Sequence, residues 1–110
     1  MTGRRGKESG ILWSQRARTD LDTISAFIAR DDEDAAGRWI GRLMLAVERA
    51  ASLPLSGRMV PEFGREDLRE ILLKNYRMVY WVREDGITVV TVFEDHRLLE
   101  TDPAHDLPGG

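Results

Sequence analysis

The stretch Leu68 to Phe93, LREILLKNYRMVYWVREDGITVVTVF, constrains the fold more than any other part of this chain. It divides into three strand-like runs separated by Lys74-Asn75 and Asp85-Gly86, each a candidate two-residue hairpin turn. Three such runs predict an antiparallel meander, and turn register separates its faces because side chains alternate along a strand. With Lys74-Asn75 in the first turn, Leu73 pairs with Tyr76, Ile71 with Met78 and Arg69 with Tyr80. With Asp85-Gly86 in the second, Glu84 pairs with Ile87, Val82 with Val89 and Tyr80 with Thr91. One face then collects Ile71, Leu73, Tyr76, Met78, Tyr80, Val82, Ile87, Val89 and Phe93, which makes the better core. The other collects Leu68, Glu70, Leu72, Arg77, Val79, Trp81, Arg83, Thr88, Val90 and Val92, where aliphatics and a tryptophan mix with charges that resist full burial.

Two amphipathic helices precede the meander. Ile11-Leu12-Trp13 forms a short first strand, expected at or beside the last one, and Ser14 is placed to cap a helix. Ala17, Leu21, Ile24 and Ile28 then recur at spacings that draw one apolar stripe. The acidic run Asp31-Asp32-Glu33-Asp34 suits the N-terminal end of a second helix, from about Ala35 to Ala51. That helix turns Ala36, Ile40, Leu43, Val47 and Ala50 inward and keeps Arg38, Arg42 and Arg49 on the other side; Trp39 flanks the stripe. Pro54 and Gly57 end it, and Ser56 to Glu62 reads as a loop that Phe63 to Asp67 carries into the sheet. The order is β-α-α-β-β-β, an α+β domain with a helical hairpin packed on one face of an antiparallel meander sheet. Residues 1–10 read as a flexible N-terminal arm, 11–99 as a single domain and 100–110 as a flexible C-terminal tail.

Composition narrows the function classes. A chain of 110 residues is one domain, and 42% hydrophobic with 32% charged residues describes a soluble globular protein. No apolar run approaches the roughly 20 residues a membrane span requires, and no apolar signal core follows the basic N-terminus, so a cytoplasmic location is expected. The absence of cysteine and the presence of only His96 and His105 argue against a metal centre, and no cofactor motif occurs. A formal charge of −3 is unlike the basic footprint of a general nucleic-acid binder.

The mixed sheet face is the candidate working surface. An apolar strip rimmed by charge marks a contact surface, and Arg and Trp are enriched at binding hot spots. Glu70, Leu72, Arg77, Val79, Trp81 and Arg83 are therefore the expected partner-binding residues; Arg97, beyond the last strand, joins them only through a family resemblance. Cover by the C-terminal tail or by a dimer mate is the alternative. Arg77 also stands opposite Glu70, an ion pair compatible with any role in binding.

In order and spacing the chain resembles the RelE/ParE superfamily of toxins from bacterial toxin–antitoxin modules. The marks are the strand start at Ile11, Ala17 with Asp20-Leu21 and Ile24, Ala35-Ala36, and Leu53-Pro54 with Gly57. Arg69, the run Tyr76-Arg77-Met78-Val79-Tyr80 and Arg97-Leu98-Leu99 complete them. The resemblance implies a type II toxin neutralised by a cognate antitoxin in a hetero-oligomeric complex, of the kind used in plasmid stabilisation. It implies contact with operator DNA only through the antitoxin, and no membrane partner.

Two branches of that superfamily imply different activities. ParE-like members include DNA gyrase inhibitors, which act by binding and need no catalytic residues. RelE-like members are ribosome-dependent mRNA endoribonucleases; here Arg77, Arg97 and His96 would be the catalytic set. RNA cleavage needs cations to stabilise the developing phosphorane charge and groups to move protons. The tyrosine expected beyond Arg97 is missing, and Glu94, Asp95, Glu100 and Asp102 surround the position where a polyanion needs positive charge. The ParE-like branch is therefore the closer one. A module that keeps antitoxin binding without toxicity is a further alternative.

Overall fold

The computed structural model describes residues 10–95. The arm before Gly10, the tail from 100 onward, His96 and Arg97 lie outside the described residues. The chain runs through β1 (Ile11–Trp13), α1 (Gln15–Ala29), α2 (Glu33–Ser52), a 3-10 turn (Pro54–Ser56), β2 (Arg58–Met59), β3 (Leu68–Leu73), β4 (Tyr76–Arg83) and β5 (Gly86–Glu94). The five strands form one sheet in the order β1-β5-β4-β3-β2. All neighbours are antiparallel except β1, which runs parallel to β5. The sheet is thus mixed, and the expected meander β3-β4-β5 is its centre.

Both helices begin on the residues suited to begin them. The Ser14 hydroxyl accepts from the Ala17 amide at 3.0 Å and donates to the Val90 carbonyl at 2.9 Å, so one cap also fastens α1 to the sheet. Asp32 caps α2 by accepting from the Asp34 and Ala35 amides, with Glu33 and Asp34 in the positive first turn. The stripe Ala36, Leu43, Val47 and Ala50 is buried as its spacing predicts, and Trp39 joins it, edge-on to Tyr76 at 5.4 Å between ring centroids. With Ala17, Met78, Tyr80, Ile87, Val89 and Val92 these side chains form the main core, between the helices and one sheet face.

The first hairpin has the expected register: Leu73 opposes Tyr76, Ile71 opposes Met78 and Arg69 opposes Tyr80. Lys74 takes the left-handed conformation its tight turn requires, at φ 54°. The second hairpin differs. Arg83 opposes Gly86 and Val82 opposes Ile87, so Glu84-Asp85 makes the turn and Gly86 opens the strand. The physical reason is close approach: a Cβ on Gly86 would collide with the Gly10 carbonyl, which accepts the Ile87 amide at 2.8 Å.

A second difference lies further along β5. Tyr80 opposes Val89 while Val79 opposes Thr91, leaving Val90 as an extra residue, a β-bulge. Past it the alternation inverts, so Val92 joins the helix-side core and Phe93 joins the opposite cluster, the reverse of the faces expected for them. Asp20 of α1 holds the bulged segment, accepting from the Thr91 hydroxyl at 2.6 Å and the Val92 amide at 3.0 Å. It serves the strand edge where β1 has ended.

Candidate functional site

The sheet face away from the helices is closed over its middle. Residues 60–67, expected as a plain loop, follow the edge strand β2 and fold back over this face as a strap. Val60 of the strap packs on Leu68, Val79 and Val90, all buried, and Phe63, Trp81 and Phe93 flank that cluster. Strap backbone bonds fix the arrangement: the Val60 amide donates to the Leu68 carbonyl, and the Phe63 and Gly64 amides return to the Val60 carbonyl. Gly64, at φ 63°, makes the reversal a side chain would strain.

Charge is enclosed along with this apolar cluster. The Arg77 guanidinium donates in a fork to both carboxylate oxygens of Glu62, each at 2.8 Å, and through Nε to Glu70 at 2.7 Å. Glu70 also accepts from Arg58 of β2. The Arg77 side chain is 4% exposed, Glu70 0% and Glu62 14%. Buried ions persist only when paired and hydrogen-bonded, and here an arginine is held between two carboxylates. Pairing first with Glu62 and then with Glu70 raises the Arg77 pKa against the opposing pull of burial. Arg77 further covers the Phe93 ring at 4.9 Å, a cation–π contact that the bulge makes available. A smaller polar group sits at the other end of the face. The Trp81 indole donates to Asp67 at 3.1 Å, Arg65 donates to the same carboxylate, and Arg83 lies 5.1 Å from the Trp81 ring centroid. The Arg65 hydrogen bond keeps the Asp67 pKa below the ordinary aspartate value.

The expected partner-binding residues therefore divide. Glu70, Arg77 and Val79 lie beneath the strap, so this part of the face is not the open contact surface that alternation implies. Leu72 at 47% exposure, the partly exposed Trp81 and the exposed Arg83 keep surface, and Arg97 lies outside the described residues. The cross-strand pair of Arg77 and Glu70 is present as expected. Of the set Arg77, Arg97 and His96, only Arg77 falls within the described residues, and its guanidinium is engaged. Arg69 turns toward the 3-10 turn, donating to the Leu55 and Gly57 carbonyls. Sequence reasoning missed Glu62, Arg58 and Asp67; the available signal was an acidic pair, Glu62 and Asp67, in a segment ahead of a face carrying unmatched arginines.

Tyr80 is buried with its hydroxyl donating to the Pro54 carbonyl at 2.7 Å and accepting from the Gly57 amide at 3.0 Å, so it ties the chain after α2 to the sheet. Burial raises the pKa of Tyr80 and of Tyr76. A groove of about 340 Å³ opens between α1 and β5, with Phe27, Ile24, Tyr76 and Phe93 beside Asp20 and Arg16. Among the described residues no group of three or more His, Asp or Glu side chains is placed to hold a metal ion. No helix among them is long and apolar enough to cross a membrane.

Comparison with known proteins agrees with this architecture. The family model for the ParE toxin of the type II toxin–antitoxin system parDE matches residues 11–99. A relative from Sinorhizobium fredii (strain NBRC 101917 / NGR234), described as "Putative toxin Y4kP", is 38% identical over 90 residues, covering 79% of this chain and 88% of the relative. The match begins at β1 and takes in both helices and the whole sheet with its strap. The chain belongs to the ParE toxin family of type II toxin–antitoxin systems.

Proposed function

We propose that this chain is a toxin that inhibits DNA gyrase by binding it, and that its cognate antitoxin neutralises it. Family membership supports the toxin role and the antitoxin partner. The observation favouring binding over catalysis is the state of Arg77. A nuclease would need that cation to meet a phosphorane, yet it is enclosed by Glu62 and Glu70 and carries no surface worth the name. On this reading the antitoxin meets Leu72, Trp81 and Arg83 at the sheet, where the strap leaves them accessible.

The test is a supercoiling and DNA-cleavage assay with purified gyrase, with and without the antitoxin encoded beside the toxin. The expected outcome is loss of supercoiling with accumulation of cleaved DNA, both relieved by the antitoxin. Unaffected gyrase, together with mRNA cleavage on translating ribosomes, would overturn the reading in favour of an endoribonuclease.

A further inference from the structure

The outer edge of β5 has a strand beside it for only part of its length. β1 pairs with Ile87 to Val89 and then gives way to α1, which advances along β5 in the same direction: Ser14 bonds to Val89 and Val90, and Asp20 to Thr91 and Val92. The groove of about 340 Å³ lies between α1 and the last residues of β5, Thr91 to Glu94. Arg16, Asp20, Thr23, Ile24 and Phe27 share the α1 wall, at the spacing of one helix face. Arg16 therefore stands toward the Thr91 end, and Ile24 and Phe27 toward the Glu94 end. Phe27 is 61% exposed, a large ring that gains from cover. Arg16 is exposed and forms no ion pair among the described residues, and Asp20 is committed to the strand. The chain leaves β5 at the apolar end of this groove: Glu94 lines it, and the next amide, of Asp95, donates to the Asn75 carbonyl.

We propose that the groove is filled by this chain's own segment Leu98 to Asp102, returning beside β5 after a reversal at His96-Arg97. The point of exit, the length and the chemistry select that occupant. The β5 wall from Glu94 to Thr91 is about 14 Å long, and Leu98 to Asp102, ahead of Pro103, spans about 17 Å when extended. Leu98 and Leu99 come first, beside Ile24 and Phe27, and Glu100 and Asp102 follow toward Arg16. Hydrocarbon meets hydrocarbon and acid meets base in the same order along the groove. The match to the family model stops at residue 99, so Glu100 and Asp102 are features of this chain beyond the shared pattern. A groove filled in this way also blunts the bare end of β5, closing it to another chain until the segment leaves.

The chain has no cysteine, so engineered pairs in the full-length protein test the proposal. Thr23→Cys with Thr101→Cys puts one thiol on the groove wall and one in the segment, and leaves both leucines in place. Leu72→Cys with Thr101→Cys is the reference, because Leu72 is exposed on β3, two strands away from β5. In oxidised glutathione the groove pair should close an intramolecular disulfide roughly tenfold faster than the reference pair, since docking raises the local thiol concentration. Adding Leu98→Asp and Leu99→Asp to the groove pair should bring its rate down to that of the reference. Equal rates for the two pairs would overturn the proposal, as would fast closure that persists with both aspartates in place. Disulfide-linked dimers instead of closed monomers would overturn it by assigning the groove to a second copy. Protection of Thr23→Cys from alkylation only after antitoxin is added would overturn it in favour of the antitoxin. Closure is read on the free chain without gyrase, so the outcome of the gyrase assay does not bear on this test.

Discussion

The two faces of the same sheet are buried by opposite means. On the helix side, Met78, Tyr80, Ile87, Val89 and Val92 meet the apolar stripes of α1 and α2 in a largely apolar core, with the Tyr80 hydroxyl tied to the chain after α2. On the strap side, the short segment 60–67 supplies Val60 and Phe63, and an enclosed cluster of Arg77, Glu62 and Glu70 does the rest. A helix brings a continuous stripe and satisfies its own backbone, so it can cover a face with hydrocarbon alone. A strap of a few residues cannot, and its attachment depends on charged side chains that become costly once separated. The helix side should therefore respond to volume and the strap side to pairing.

The largest expected effect separates the two responses. Arg77→Ala should destabilise the fold by about 3–5 kcal/mol in a urea titration, because Glu70 would be left buried with only Arg58 beside it. Combining Arg77→Met with Glu70→Leu should recover most of that loss, since removing both charges removes the penalty. A double variant as unstable as the single would break the comparison. Next, Leu43→Ala, fully buried on α2, should lower stability by about 3 kcal/mol through lost contacts and a residual cavity. That loss should be insensitive to salt and should have no rescuing charge partner.

Tyr80→Phe should have a smaller effect, about 1–3 kcal/mol, by stranding the buried Gly57 amide and the Pro54 carbonyl. It also carries a pH signature. Burial raises the folded Tyr80 pKa, so the stability from its neutral form is fully present below the unfolded value near about 10. It is lost as pH rises through the folded value, and alkaline melts of Tyr80→Phe should lose this component. The smallest effect belongs to Asp67. Its folded pKa is lowered, chiefly by the Arg65 hydrogen bond, so its contribution is present above the unfolded value near about 3.9. Stability should fall as pH drops through the folded value. Asp67→Asn should flatten that acid limb, and because the pair is well exposed the change should be slight.

Local signals and their limits can be followed residue by residue. The stripe of α2, the Ser14 cap and the turn at Lys74-Asn75 were legible because each depends on neighbours a few positions away. The second turn was misplaced by one residue because Gly86 suited a turn equally well. The glycine is instead needed where β1 crosses close to β5, a contact between residues far apart in sequence. The bulge at Val90 followed from the same long-range setting, with Ser14 and Asp20 drawing on β5 atoms no periodicity could indicate. The candidate site was half legible: the pair Arg77–Glu70 followed from strand register, whereas Glu62 came from a strap whose return over the sheet has no local signature.

The sequence by itself determined the element order, the helix-side core, the caps and the membership in a toxin family, because periodicity, capping chemistry and motif spacing act over short distances. Only the tertiary structure decided which sheet face remains accessible. Alternation along a strand says that Arg77 and Val79 point away from the helices; it does not say what meets them there. That depended on where residues 60–67 travel after α2, a path held by the packing of Val60 together with a fork of hydrogen bonds between Arg77 and Glu62, fifteen positions apart. A charge on a strand reads as exposed until its counter-charge folds down over it.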